Sequence, residues 1–89
     1  MKYLEDCMIN YILKNHDRYK SDGFTMWFHR EYLRIKYNHK IYIVRITSEY
    51  GNLYWNLRPY NKSYFTTEIK DYSSFEAIIF AIKDNDKIY

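Results

Sequence analysis

Between Lys40 and Tyr60 the chain reads KIYIVRITSEYGNLYWNLRPY. Apolar and polar residues alternate there on both sides of Gly51-Asn52. Leu53, Trp55 and Leu57 form one row after the pair, against Asn52, Tyr54, Asn56 and Arg58. Before it, Tyr42, Val44 and Ile46 stand against Ile41, Ile43, Arg45 and Thr47. Successive strand residues point to opposite faces, so period-two alternation around Gly-Asn predicts a β-hairpin. A loop of Gly51-Asn52 would put Ile46 opposite Leu57 and Arg45 opposite Arg58. A four-residue loop, Glu49 to Asn52, keeps the same parity. A three-residue loop would set Ile46 against Asn56, which a buried face forbids. Facing arginines repel unless splayed into solvent or given an anion or acidic partner.

The flanking segments supply what the hairpin packs against. Residues 2 to 19 predict a helix, with Leu4, Met8, Tyr11 and Ile12 at helical spacing and Cys7 beside them. Asp22-Gly23 is a stop and turn signal. Residues 24 to 37 are rich in strand formers, but their phase shifts: Phe24, Met26 and Phe28 alternate on even numbers, Leu33, Ile35 and Tyr37 on odd ones. That slip predicts a bulge near His29 to Glu31, or two strands in place of one. Asn38-His39 is a candidate tight turn that sets Ile35 opposite Tyr42 and Leu33 opposite Val44. Tyr64 to Lys70 reads as a fourth, edge strand.

The last helix opens with a capping box, Ser73 to Glu76, and carries Phe75, Ile78, Ile79 and Ile82 on one face. Lys83 suits the negative end of its dipole, and Asn85 is the expected stop. The chain of 89 residues is long enough for one small core, taken as a single domain. The fold class expected is α+β, a two-layer sandwich of N-terminal helix, antiparallel sheet of three to four strands, and C-terminal helix. Leu53, Trp55, Leu57, Leu33, Ile35, Val44 and Ile46 fill its core with the two helix stripes.

Two helices on one side of the sheet leave the other side open. It would show Tyr32, Arg34, Lys36, Ile41, Ile43, Arg45, Thr47, Tyr54, Asn56, Arg58 and Tyr60. Rings interleaved with cations suit single-stranded nucleic acid, and Tyr and Arg also dominate protein hot spots. An ordinary wet sheet face accounts for much of the same pattern, because these residues suit strands. Ile41 and Ile43 fit it less well; they pack under the first extended segment or lie in a homodimer interface.

Chemistry-bearing motifs are lacking. His16, His29, His39 and Cys7 have no metal-site spacing, so neither metal nor cofactor is expected. With glycines only at 23 and 51 there is no glycine-rich phosphate loop. Cys7 lies near an apolar helix stripe, as an inert thiol would. Ile41-Tyr42-Ile43 with Tyr54-Trp55-Asn56 resembles the paired strands of GIY-YIG nucleases, although Lys40 and Asn56 stand in place of that family's glycines. The helix–strands–helix order resembles the double-stranded-RNA-binding domain, whose lysine cluster at the second helix is replaced here by Ser73-Ser74-Phe75-Glu76.

Net charge is +3 and the single cysteine allows no internal disulfide. The start MKYLEDCMINY places acids where a signal peptide is apolar, and no apolar run spans a bilayer, so a cytoplasmic, non-membrane protein is expected. Abundant Tyr, Ile, Lys and Asn fit AT-rich coding, common in phages and mobile elements. The function expected is a non-enzymatic binding protein, an accessory protein that binds and inhibits a host defence protein, such as a nuclease or nucleoprotein complex of the CRISPR type. Its expected contact residues are Tyr32, Arg34, Arg45, Tyr54, Arg58 and Tyr60. A small nucleic-acid-binding domain using the same face is the alternative.

Overall fold

The computed structural model describes the backbone of residues 2–70 and 75–88, and the side chains of residues 6, 8–70 and 75–85. Helix α1 (Lys2–Lys20) leads into strands β1 (Thr25–His29), β2 (Tyr32–Tyr37), β3 (Lys40–Glu49), β4 (Asn52–Pro59) and β5 (Thr67–Ile69), and helix α2 (Phe75–Ile88) closes the chain. The five strands form one antiparallel meander in chain order, β1-β2-β3-β4-β5. The α+β arrangement is the one expected. The fifth strand arises because residues 24 to 37 divide into β1 and β2. Leu4, Cys7 and Ser73 of the capping box lie outside the described side chains.

Helix α1 stops as its sequence dictates. Gly23, at φ +93°, sits in the left-handed region that glycine enters without steric cost. Gly23 N donates to Lys20 O at 3.0 Å and Phe24 N to Tyr19 O at 3.2 Å, the paired bonds of a Schellman cap. The Phe24 ring meets Tyr19 edge-on at 6.2 Å, which supplies that motif's hydrophobic contact. At the far end, α2 continues past Asn85 to Ile88. Asn85 is not among the residues with positive φ, so it lacks the conformation that would make it a stop.

Each of the first three hairpins turns on two residues with positive φ: Arg30 and Glu31, Asn38 and His39, Tyr50 and Gly51. That is the condition of a type I′ turn, whose twist matches paired strands. A two-residue loop pairs even positions with odd ones. Hence the core row is even in β1 (Met26, Phe28), odd in β2 (Leu33, Ile35), even in β3 and odd in β4. The phase slip near His29 is this turn and not a bulge. Asn38-His39 is a turn as expected, with Ile35 facing Tyr42 and Leu33 facing Val44.

The third hairpin corrects one expectation. Its loop is Tyr50-Gly51, and Glu49 pairs with Asn52. Parity is kept, but Ile46 faces Trp55, Val44 faces Leu57 and Arg45 faces Asn56, while Arg58 faces Ile43. This is the register of the four-residue alternative. It separates the two arginines and so removes a like-charge contact across the strands.

The core lies between the sheet and both helices. Leu33, Ile35, Val44, Trp55, Leu57, Ile78 and Ile82 are wholly buried, with Met8, Ile46, Phe75 and Ile79 close behind. Tyr11, Ile12 and Leu53 are partly buried against them. Tyr11 ties the layers together: it meets Trp55 edge-on at 5.1 Å and stacks on Phe75 at 5.4 Å. Tyr19, Phe24, Met26 and Tyr42 also join the core.

Candidate functional site

The register gathers on the second face the side chains that the alternation points away from the helices. Trp27, Arg34, Ile43 and Arg58 form one row across β1 to β4. Arg45, Asn56 and Glu68 form another across β3 to β5. Tyr32 opens β2 opposite His29, and Tyr54 faces Thr47. Five of the sequence-derived contact residues, Tyr32, Arg34, Arg45, Tyr54 and Arg58, therefore share this face, and all five are half-buried. Tyr60 follows β4 at its edge, is 61% exposed and donates its backbone N–H to Ile41 O at 2.9 Å.

The face is not fully open. The segment joining β4 to β5 folds back over it and lays Phe65 on the arginines. The Arg45 guanidinium sits 4.0 Å from the Phe65 ring centre and that of Arg58 5.4 Å, both within cation–π range. Tyr32 tilts against the same ring at 6.0 Å. The segment is pinned at both ends. Arg58 Nη1 donates to the carbonyls of Pro59 and Tyr60, each at 3.4 Å, and to that of Lys62. Thr66 N donates to Leu57 O at 3.1 Å. Beside this cover Ile43 is wholly buried and Asn56 nearly so. Asn56 Nδ2 donates to Thr47 Oγ1 at 2.8 Å. Ile43 is thus covered within one chain, without a second copy.

The arginines have different duties. Arg58 holds the chain's own loop carbonyls. Arg34 and Arg45 each carry a buried Nε–H with no hydrogen-bond partner among the described residues. Their facing residues are Trp27 and Ile43 for Arg34, and Asn56 for Arg45; none of these is an acid. A buried N–H of a charged group without an acceptor is costly, and native structures rarely leave one. The face therefore gathers arginine side chains that have no acid directly opposite them in the strand register.

Trp27 and Phe65 belong to this face but are missing from the sequence-derived set. Trp27 becomes placeable once a two-residue turn at Arg30-Glu31 is assumed. Phe65 follows Tyr64 in the short connection between β4 and β5, with no periodicity to mark it. Among the described residues, no group of three or more His, Cys, Asp or Glu is placed to hold a metal ion. No described helix is long and apolar enough to cross a membrane. A scan against protein-family models and searches of curated proteins and of solved structures found no match.

Proposed function

We propose that this chain is a non-enzymatic binding protein whose working surface is the arginine-bearing face, and that the partner is a protein presenting acidic residues. The observation that carries this reading is the gathering of Tyr32, Arg34, Arg45, Tyr54 and Arg58 on one sheet face, with no acid directly opposite Arg34 or Arg45 in the strand register. Half-buried Arg, Tyr and Trp side chains are also the types that dominate binding energy at protein interfaces. The inhibitor role, blocking a surface of a host defence nuclease or nucleoprotein complex, is supported by residue composition alone.

Nucleic-acid binding is the second reading. It draws on Tyr54 and the exposed Tyr60 beside the cations. Against it, two of the rings beside the arginines are engaged: Phe65 carries Arg45, and Tyr32 leans on Phe65. Base stacking needs free ring faces.

Arg34→Glu combined with Arg45→Glu tests the proposal better than a change at Arg58, which would also release the loop. The double variant should fold, as judged by circular dichroism, and fail to capture a protein that the parent chain captures. Undiminished capture would move the site elsewhere. Under the inhibitor reading the captured protein also loses its activity on binding. Anisotropy with single- and double-stranded DNA and RNA separates the second reading: nucleic-acid binding would weaken with salt at a log–log slope of roughly −0.7 to −0.9 per phosphate neutralised.

A further inference from the structure

We infer that the stretch Tyr60-Asn61-Lys62-Ser63-Tyr64, in the connection between β4 and β5, is the part of this surface that touches the partner, and that it takes a protein segment carrying a carboxylate beside apolar side chains. The inference rests on the reading of the arginine-bearing face as the working surface and moves the contact from the strands to the loop laid over them. Phe65 covers the guanidinium groups of Arg45 and Arg58, at 4.0 and 5.4 Å. An arriving molecule therefore meets the loop there before it meets those arginines. Every residue from Tyr60 to Tyr64 is exposed, with Tyr60 at 61% and Tyr64 at 62%. Tyrosine, asparagine and serine are the residues that fill antibody binding loops. Tyrosine offers a large amphipathic contact at low entropy cost, and asparagine and serine offer adaptable hydrogen bonds.

The loop is built before any partner arrives. Lys62 N donates to Pro59 O at 3.2 Å, closing a turn with Tyr60 and Asn61 at its centre. Arg58 Nη1 donates to the carbonyls of Pro59, Tyr60 and Lys62. Past Tyr64, Phe65 is half-buried on the Arg45 guanidinium. Thr66 N and Oγ1 both donate to Leu57 O, at 3.1 and 3.4 Å. A loop tied down by its own chain loses little freedom on binding. Charge then selects the occupant. From Tyr60 to Thr67 the sequence holds one cation, Lys62, and no acid. Lys62 Nζ stands 5.9 Å from the centre of the Tyr64 ring, so a carboxylate drawn to the ammonium arrives beside that ring, where apolar neighbours of the acid can pack. A nucleic-acid strand asks for a track of successive cations, and the Nη1 of Arg58 is already spent on the loop's carbonyls.

Panning a phage-displayed library of random dodecapeptides against the full chain supplies probes of known sequence. The enriched peptides should carry Asp or Glu flanked by aliphatic or aromatic residues. The leading sequence, titrated as a synthetic peptide, should shift the backbone amide NMR signals of residues 60 to 64 saturably. Tyr60→Ala combined with Tyr64→Ala should weaken its binding by at least about fivefold, the loss that marks an important interface residue. Lys62→Gln should weaken it by roughly two- to fivefold, as for an exposed ion pair. Both variants keep Arg58 and Phe65, so the spectrum outside the loop should stay as it is. An unenriched library, enriched peptides without acids, or full binding by the tyrosine double variant would overturn the inference. Tighter binding of an eight-nucleotide oligothymidylate would replace it with nucleic-acid recognition. Partner capture lost in Arg34→Glu, Arg45→Glu but kept in Tyr60→Ala, Tyr64→Ala would reject the loop and keep the face. Capture kept in both would remove the face as well.

Discussion

On its helix-covered side the sheet presents Leu33, Ile35, Val44, Trp55 and Leu57, all wholly buried. On the other side the same strands present Arg34, Arg45 and Arg58 around the buried Ile43 and Asn56, with Phe65 of the β4–β5 connection laid over Arg45 and Arg58. The first side is closed by two helices and is satisfied by burying carbon. The second is closed by a pinned loop laid over arginine side chains. Arginine can do this because its stem packs like a hydrocarbon while its head keeps its hydrogen-bonding demand. The contrast separates the side that supplies stability from the side proposed to bind a partner.

The largest effect should fall on the helix-covered side. Trp55→Ala should cost about 3–5 kcal/mol in chemical denaturation, since it removes a wholly buried ring that touches both helices. A loss near zero would break the comparison at once. Ile43→Ala should cost about 2 kcal/mol, the low end for a buried isoleucine, because flexible arginine stems can close around the gap. A cost equal to that of Trp55→Ala would mean that the second face is a true core layer. Phe65→Ala should cost about 1 kcal/mol, the scale of a partly exposed cation–π contact. It should also free the Arg45 side chain, visible as averaging of its Nε–H signal by NMR. Smallest, and of opposite sign, is Tyr50→Asn. Tyr50 is 95% exposed with φ +51°, a conformation that asparagine tolerates better than tyrosine. The variant should be more stable by about 0.5–1 kcal/mol, with either face's binding unchanged.

The two faces are also unequally legible in the sequence. Apolar alternation determines parity, so the residue pattern by itself assigns Val44, Ile46, Trp55 and Leu57 to the core. The same parity rule puts Tyr32, Arg34, Arg45, Tyr54 and Arg58 together on the opposite side. Parity alone does not choose between registers two residues apart, which is why the sequence points to Gly51-Asn52 as the loop where Tyr50-Gly51 forms it. The observed register relieves repulsion between Arg45 and Arg58 and accepts a left-handed backbone at Tyr50 in return. Nor does parity report a connection that folds back. Phe65 carries no periodic signal, and its contact with Arg45 exists only once β4 and β5 are paired. Trp27 is hidden by the phase change at Arg30-Glu31, which becomes readable when each two-residue turn is allowed to exchange even for odd.

Exposed apolar side chains on the helices offer the competing surface. Leu13 of α1 is 76% exposed, with Ile9 one turn before it and Phe80 of α2 also exposed. Photocrosslinking from the two sides decides between them: a benzoylphenylalanine is placed at Tyr60 in one variant and at Leu13 in another, and each is irradiated with the same partner-containing lysate. A working surface on the arginine-bearing face predicts a discrete protein adduct from position 60, lost when Arg34→Glu and Arg45→Glu are added, and none from position 13. An adduct from position 13 alone, untouched by the arginine changes, would contradict it.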